Sequence, residues 1–221
     1  MRLIRAGIAS LVERRIGGDQ DRRLAWFLVI GCIPGGLVGV IAESKIVRLF
    51  HEPNAQIQTV ALIIMGIIIA VMALALFTVE RLARHTRAIS SLTLKDTLFI
   101  GGAQALAIFP GVSRSGSTIT AGLALGLQRE TAARFSFLLG TPIIAGAGMK
   151  SLTEVIHQIH AGVLSHAELQ VFPIGCLAAA ISGYLCINYL LRFLKEHTTD
   201  VFVYYRLILA AVVIAVALYR G

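Results

Sequence analysis

Charged residues are scarce in this chain. Only 14% of its 221 residues are Asp, Glu, Lys or Arg, against about 25% in a typical soluble domain. Hydrophobic residues make up 57% of the sequence, and the mean hydropathy is +0.80. A water-soluble fold of this length would have difficulty hiding so much apolar surface. The shortage of charge therefore favours an integral membrane protein.

Cysteines and acidic residues are also few. Cys32, Cys176 and Cys186 lie in apolar segments without metal-type spacing, so we expect neither disulfides nor thiolate metal ligands. The chain has 12 acidic and 20 basic residues, a net charge of +8. The basic residues stand between apolar segments and form no continuous stripe. They therefore suit a role in membrane topology, and we expect no nucleic-acid partner.

Five apolar stretches have the length and composition of membrane-crossing helices. A hydrocarbon core about 30 Å thick takes roughly 20 helical residues to cross. The stretches occupy residues 24–42, 57–79, 132–149, 169–191 and 201–219. We therefore predict an all-α, polytopic integral membrane protein with about five transmembrane helices, forming a single membrane domain over 1–221.

Residues 97–127 are apolar as well, but they divide into two pieces that are each too short to span. Thr97–Phe109 ends at Pro110-Gly111, and a second helical pattern covers Ser117–Leu127. Irregular backbone at membrane depth is tolerated only where protein buries it or where it lines a wet cavity. We predict that 97–127 is a re-entrant pair of half-helices, entering and leaving on one side.

The basic residues support this topology. If the first span runs outward, the inner segments hold most of the arginines, including Arg81, Arg84 and Arg87. Such an excess is typical of the cytoplasmic side, and it holds only if 97–127 returns to the side from which it came. Near the last span, Tyr204, Tyr205 and Arg206 resemble an interfacial anchor cluster.

The stretch AIFPGVSRSGSTITAG, residues 107–122, interrupts the apolar pattern with an arginine. An ionisable residue at membrane depth indicates a functional site. The residues around Arg114 are hydroxyl donors and glycines, namely Ser113, Ser115, Ser117, Thr118, Gly111 and Gly116. A helix starting near Ser117 would add free N–H groups, and the guanidinium suits phosphate oxygens. These features favour an anion site, with phosphate as the natural ligand.

An ordinary loop outside the membrane is the alternative, with Arg114 as a topology signal and the serines as helix caps. The shortness of both flanking helices favours the anion site. Gln104, on the first half-helix, is a candidate to point into the site, and a polar packing residue is the alternative for it.

The segment GGAQALAIFPGVSRSGSTITAGLALGL, residues 101–127, closely resembles the signature of the bacterial undecaprenyl-diphosphate phosphatases of the bacitracin-resistance type. That family's pattern is Pro-Gly-x-Ser-Arg-Ser-Gly-x-Thr. It is matched by Pro110, Gly111, Ser113, Arg114, Ser115, Gly116 and Thr118. The following ARFSFLLGTPIIAGA, residues 133–147, is similar to the family's next helix.

The resemblance implies a hydrolase that converts undecaprenyl diphosphate to undecaprenyl phosphate and recycles the lipid carrier of cell-wall synthesis. It implies two inverted repeats, each with a re-entrant helix pair, in the bacterial cytoplasmic membrane. Arg114 and Ser113 are the implied catalytic residues, and Ser115, Gly116 and Thr118 the implied substrate-binding residues. The expected partners are a prenyl diphosphate lipid and membrane lipids, and a homodimer stays open.

The sequence departs from the family in one respect. Nothing matches the family's N-terminal paired-glutamate motif or its Pro-x-Ser-Ser-Thr-Gly-His motif. The resemblance implies Mg²⁺ or Ca²⁺, but the glutamate ligands it implies are absent, so we assign no metal ligand. Solvated loop positions are the simplest interpretation of the remaining candidates, Glu43, Glu52, His157, His160 and His166.

An N-terminally shortened family member is therefore expected, either a shortened gene model or a natural short homologue, with little or no phosphatase activity on its own. The alternative function is a lipid-phosphate carrier or flippase that binds without hydrolysis, because inverted repeats with crossed half-helices suit alternating access. Phosphate release separates the two.

Overall fold

The computed structural model describes residues 20–50, 55–161 and 166–220. Within these residues the chain forms seven α-helices. They are α1 (Gln20–Phe50), α2 (Ala55–Leu82), α3 (Leu94–Ala105), α4 (Arg114–Ala124), α5 (Arg129–His160), α6 (His166–Glu196) and α7 (Asp200–Arg220). Short 3₁₀ turns occupy Ile89–Ser91 and Leu106–Ile108.

Five of the described helices are long and apolar enough to cross a membrane. Their candidate spans are Gln20–Ala42, Gln58–Leu82, Arg129–Ile159, Val171–Glu196 and Asp200–Tyr219. The prediction of an all-α, polytopic membrane protein is confirmed. The extent of the single domain over 1–221 and the membrane insertion of the hairpin stay predictions.

The hairpin residues form two short helices whose boundaries differ from those that the sequence predicted. α3 starts three residues earlier, at Leu94, because the Thr93 hydroxyl accepts from the Asp96 amide and the Asp96 carboxylate accepts from the Thr93 amide. α4 starts at Arg114 instead of Ser117, because the Ser113 side chain caps it. The start of α3 and the end of α4 meet near Arg87, whose backbone N–H donates to the carbonyl of Gly126.

α5 is longer than predicted. It runs through Pro142 and ends at His160 rather than at residue 149. A proline inside a helix removes one backbone hydrogen bond, and membrane-spanning helices tolerate it without ending there. His157 therefore lies on a helix and not in an outer loop. Glu52, and the side chains of Glu43, His160 and His166, lie outside the described residues.

Glycine allows the closest helix contacts. A Cβ on Gly101 of α3 would clash with the backbone of Gly31 of α1. A Cβ on Gly66 of α2 would lie 3.3 Å from the carbonyl oxygen of Ala210 of α7. These contacts bring α1 against α3 and α2 against α7. α4 lies among α2, α3 and α5, and its Leu123 is fully buried with Phe135 of α5.

Ion pairs gather the ends of several helices at one face of the molecule, which we call the ionic face. It comprises the pairs Arg129–Glu80, Arg81–Asp200, Arg87–Asp96 and Lys195–Glu130. Because these residues belong to α2, α3, α5, α6, α7 and the connector before α3, the hairpin begins and ends at this same face.

Candidate functional site

The site is built on the first turn of α4. The Ser113 Oγ accepts from the Gly116 N–H at 3.2 Å, and the Ser117 N–H donates to the Ser113 carbonyl at 2.9 Å. The N–H groups of Arg114 and Ser115 precede the first helical hydrogen bond and have no intrahelical acceptor. The first turn of α4 therefore presents donors and the positive end of a helix dipole.

The loop before α4 makes this helix start possible. Gly111 has φ +95°, a conformation that L side chains rarely adopt, and a Cβ there would lie 2.8 Å from the Met65 carbonyl oxygen. Glycine is therefore required where the chain turns against α2. This turn delivers Ser113 to the capping position.

Arg114 extends from α4 onto α5. Its Nη1 donates to the Gly140 carbonyl at 3.3 Å. A Cβ on Gly140 would lie 2.5 Å from Nη2, so the guanidinium rests on the bare backbone of α5. Among the described residues no carboxylate forms an ion pair with Arg114. Its charge is therefore available to an anion.

Two predicted hydroxyls accompany Arg114. Ser113 and Ser115 are half-buried, and their Oγ atoms are 3.4 Å apart. Gly116 takes part in the site through its backbone. Its N–H donates to Ser113 Oγ, and the guanidinium of an arginine lies against its Cα. The structure thus brings Arg114, Ser113, Ser115 and Gly116 together at one helix start.

The residue covering Gly116 is Arg206 of α7. A Cβ on Gly116 would lie 2.6 Å from Arg206 Nη1. The interpretation of Arg206 as an interfacial anchor is therefore wrong, because its guanidinium points inward onto α4. It lies about 9 Å along α7 from Asp200, at a rise of 1.5 Å per residue. Arginine inside an apolar helix was the available signal, the same one that identified Arg114.

A cavity of about 230 Å³ opens beside this helix start. Its polar wall is formed by Ser115, Gly116, Thr199, Tyr205 and Arg206. The rest of its lining is apolar and comes from α2, α4, α5, α6 and α7. Those side chains are Leu76, Ile119, Phe137, Leu190, Leu194 and Phe202.

Of the predicted site residues, Ser115 and Gly116 line the cavity, whereas Arg114, Ser113, Thr118 and Gln104 do not. The Thr118 side chain is 1% exposed, and its Oγ1 lies 2.9 Å from the Arg114 carbonyl and 2.6 Å from Ser136 Oγ. Thr118 therefore joins α4 to α5. Gln104 is 4% exposed, and its amide faces Gly35 of α1. Neither of its amide atoms has a hydrogen-bond partner among the described residues.

The ends of the hairpin are held by Arg87. Its guanidinium donates to Asp96 Oδ2 at 2.6 Å and to the carbonyl of Leu125 at 3.0 Å. Burial raises the pKa of Asp96, but the hydrogen bonds from Arg87 and Thr93 outweigh it, so the pKa lies below its ordinary 3.8. Asp96 therefore stays ionised at neutral pH and links both hairpin ends to the connector.

The described residues at this site do not fit a divalent cation. In the part of the chain that the structure describes, no group of three or more His, Cys, Asp or Glu side chains could hold one. The donors at the start of α4 are hydroxyls, amides and guanidinium groups, whereas Mg²⁺ and Ca²⁺ take carboxylate and carbonyl oxygens. The arrangement of described residues suits an anion.

These features define a class: a polytopic helical membrane protein with two arginines directed to one helix start. The chain belongs to the family described as bacitracin resistance protein BacA, whose family model matches residues 1–212. The expected family resemblance is confirmed.

Curated relatives agree with this assignment. A protein of Thermomicrobium roseum named undecaprenyl-diphosphatase is 41% identical over 212 residues, covering 96% of this chain and 74% of the relative. Proteins with the same name from Moorella thermoacetica and an Anaeromyxobacter species are 39% and 40% identical. The matches cover 90% and 99% of this chain, and 69% and 67% of the relatives.

Proposed function

We propose that this protein hydrolyses undecaprenyl diphosphate to undecaprenyl phosphate and phosphate in the bacterial cytoplasmic membrane. Membership of the BacA family and the names of its relatives support this function. The observation that carries it to this chain is the placement of Arg114. An arginine with no carboxylate partner among the described residues lies at a helix start, within the family's signature.

The reaction sets the electrostatic task of the site. Overall, the oxygen of water ends on the terminal phosphorus, the bond from that phosphorus to the bridging oxygen breaks, and a proton of the water is released to the solvent. The bridging oxygen leaves with the prenyl phosphate. Negative charge is spread over phosphate oxygens in the transition state. In this proposal Arg114 binds those oxygens with its two-pronged guanidinium, and the first amides of α4 add donors.

Ser113 serves as a hydrogen-bond donor and a positioning residue in this proposal. Its oxygen already accepts the Gly116 N–H, which fixes its orientation at the helix start. Its hydroxyl proton remains able to donate to a phosphate oxygen or to Ser115. Ser115 supplies a second hydroxyl on the same side of α4. No metal-dependent step is assigned to these residues.

Phosphate release by the purified protein tests the function. Wild-type protein and Arg114→Gln are incubated with farnesyl diphosphate or undecaprenyl diphosphate, with Mg²⁺ or Ca²⁺ present, and Arg84→Gln at an exposed position serves as the control. We expect the control to match the wild type and Arg114→Gln to release about 100-fold less phosphate than either.

Equal release by wild type and Arg114→Gln would contradict the proposed site. Tight prenyl diphosphate binding without any release would favour the carrier function instead. Little or no activity of this chain on its own stays a prediction, and the same assay measures it against the relative from Thermomicrobium roseum.

A further inference from the structure

We propose that the cavity beside α4 binds the lipid-linked end of the substrate. In this arrangement Arg206 and Ser115 hold the phosphate attached to the prenyl chain, and the apolar walls hold the first isoprenoid carbons. This inference rests on the proposed function and assigns a place to the half of the substrate that Arg114 does not bind.

The charge of Arg206 carries the first step. Its guanidinium is half-buried, and among the described residues no carboxylate or carbonyl accepts a hydrogen bond from it. Arg81, by contrast, has an ion-pair partner at the start of α7, because its Nη2 lies 2.9 Å from Asp200 Oδ2. An unpaired charge inside a membrane protein is costly. An anionic ligand in the cavity would supply the missing partner.

The lining of the cavity carries the second step. One wall is polar, with the Arg206 guanidinium and the Ser115 hydroxyl, while Ile119, Phe137 and Leu190 contribute to the apolar remainder. An inorganic anion would gain nothing from those apolar walls. A phosphate ester with an apolar substituent matches both parts, and moving its carbons from water into the cavity is worth about 0.8 kcal/mol per CH₂.

The size of the cavity limits what it can hold. Its volume of about 230 Å³ lies below the roughly 300–1,000 Å³ of typical drug-sized ligand sites. It therefore accommodates a phosphate with the start of a prenyl chain and not a long polyprenyl tail. Outside the cavity, Leu185 and Tyr189 on the outer side of α6 are 57% and 71% exposed. The remainder of a long prenyl chain would therefore be surrounded by lipid.

The cavity lies on the side of the α4 start that is opposite Arg114. Arg114 rests on α5, whereas Arg206 reaches the same first turn of α4 from α7. The Oγ atoms of Ser113 and Ser115, 3.4 Å apart, connect the two sides. A diphosphate has two anionic phosphate groups linked by one oxygen. The two guanidinium groups at the start of α4 can therefore each bind one phosphate group.

Calorimetric binding to the detergent-purified protein tests the inference, with farnesyl diphosphate and inorganic pyrophosphate as the two probes. The wild type should bind farnesyl diphosphate at least tenfold more tightly than pyrophosphate. Arg206→Gln should weaken the binding of both probes about tenfold. Leu190→Trp, which fills the apolar part, should weaken farnesyl diphosphate alone, and Leu185→Trp on the outer side of the same helix is its matched control.

Gly116→Ala provides a variant that keeps every charge. Its new methyl group would displace the Arg206 guanidinium, the flexible end of a long side chain, so the fold should persist while the affinity falls. Gly148→Ala is the control, because nothing lies within 4 Å of a Cβ at that position.

Phosphate release from farnesyl diphosphate is measured on the same preparations, which separates this inference from the proposed function. If the wild type releases phosphate but Arg206→Gln, Gly116→Ala and Leu190→Trp bind both probes like the wild type, the cavity assignment is wrong and the function stands. If the variants behave as expected but no phosphate is released, the function is wrong and the cavity remains a prenyl phosphate site. Binding of neither probe by the wild type would overturn both.

Discussion

The arginines at the ionic face and the arginines at the start of α4 have opposite surroundings. At the ionic face Arg129 lies 2.5 Å from Glu80, whose side chain is only 1% exposed, and Arg87 lies 2.6 Å from Asp96. At the start of α4, Arg114 and Arg206 rest on the backbones of Gly140 and Gly116, and no described carboxylate pairs with either.

The difference separates two uses of the same side chain. When an arginine is paired with a carboxylate, their attraction offsets the cost of desolvating both charges and holds the two helices together. Removal of such an arginine should therefore reduce the stability of the fold. An unpaired arginine on a glycine surface contributes little to holding the fold and presents its charge to a ligand. Substitutions in the two regions should therefore change different properties.

The largest effect is expected from Arg114→Lys. Lysine keeps the charge but loses the planar fork that binds two phosphate oxygens together. We expect prenyl diphosphate turnover to fall about 100-fold, as for the loss of one transition-state donor, with an unchanged melting temperature in detergent. Arg81→Lys at the ionic face is the control and should keep wild-type turnover. Unchanged affinity and turnover in Arg114→Lys would show that Arg114 does not bind the phosphate.

Glu80→Gln should produce the opposite result. The Glu80 carboxylate accepts from Arg129 and, at 2.8 Å, from Thr199, which joins α2 to α5 and to the start of α7. Losing these charge-assisted hydrogen bonds should lower the free energy of unfolding by about 2 kcal/mol, while turnover per folded molecule stays near wild type. Thermal unfolding followed by circular dichroism measures the first, and phosphate release the second. A large loss of turnover in stable protein would erase the distinction between the regions.

Gly140→Ala sharpens the comparison without removing a charge. The added methyl group would lie 2.5 Å from Arg114 Nη2, so the guanidinium must move away from α5. We expect turnover to fall about tenfold, equivalent to roughly 1.4 kcal/mol. Gly146→Ala lies on the same helix with nothing within 4 Å of its Cβ and should have no effect. Equal activities of the two variants would mean that the position of Arg114 is unimportant.

The smallest effect is expected at Asp96. Because its pKa lies below the ordinary 3.8, the ionised carboxylate stabilises the folded protein at pH values above 3.8. That contribution is lost as the pH falls through the lower, folded-state value. Asp96→Asn should cost about 1 kcal/mol at pH 7, and the difference from wild type should shrink below pH 3.8. A difference that is constant down to pH 2 would contradict the ionic role.

The sequence predicted the features that depend on local pattern. The five long helices follow from length and hydropathy, and Arg114 was conspicuous because Pro110, Gly111 and several hydroxyls break an apolar run around it. The start of α4 was misplaced, since Ser113 as a cap and Ser117 as a first helical residue are equally compatible with the pattern.

The partners of each helix could not be predicted in the same way. The contact of Gly31 with Gly101 and that of Gly116 with Arg206 join residues far apart in the chain, and neither has a local signature. Arg206 was assigned to the interface because Tyr204 and Tyr205 precede it, a pattern typical of membrane anchors. In the folded protein α7 packs against α2, and the Arg206 guanidinium lies over Gly116 of α4.

Ligand-induced stabilisation tests the central claim most directly, because it measures whether Arg114 presents its charge to a ligand. The melting temperature of wild-type protein and of Arg114→Lys is measured with and without farnesyl diphosphate. A ligand at 100 times its Kd stabilises the folded state by about 2.7 kcal/mol. The unpaired arginine at the start of α4 predicts a clear upward shift for the wild type and little or none for Arg114→Lys. The same shift in both proteins would contradict it.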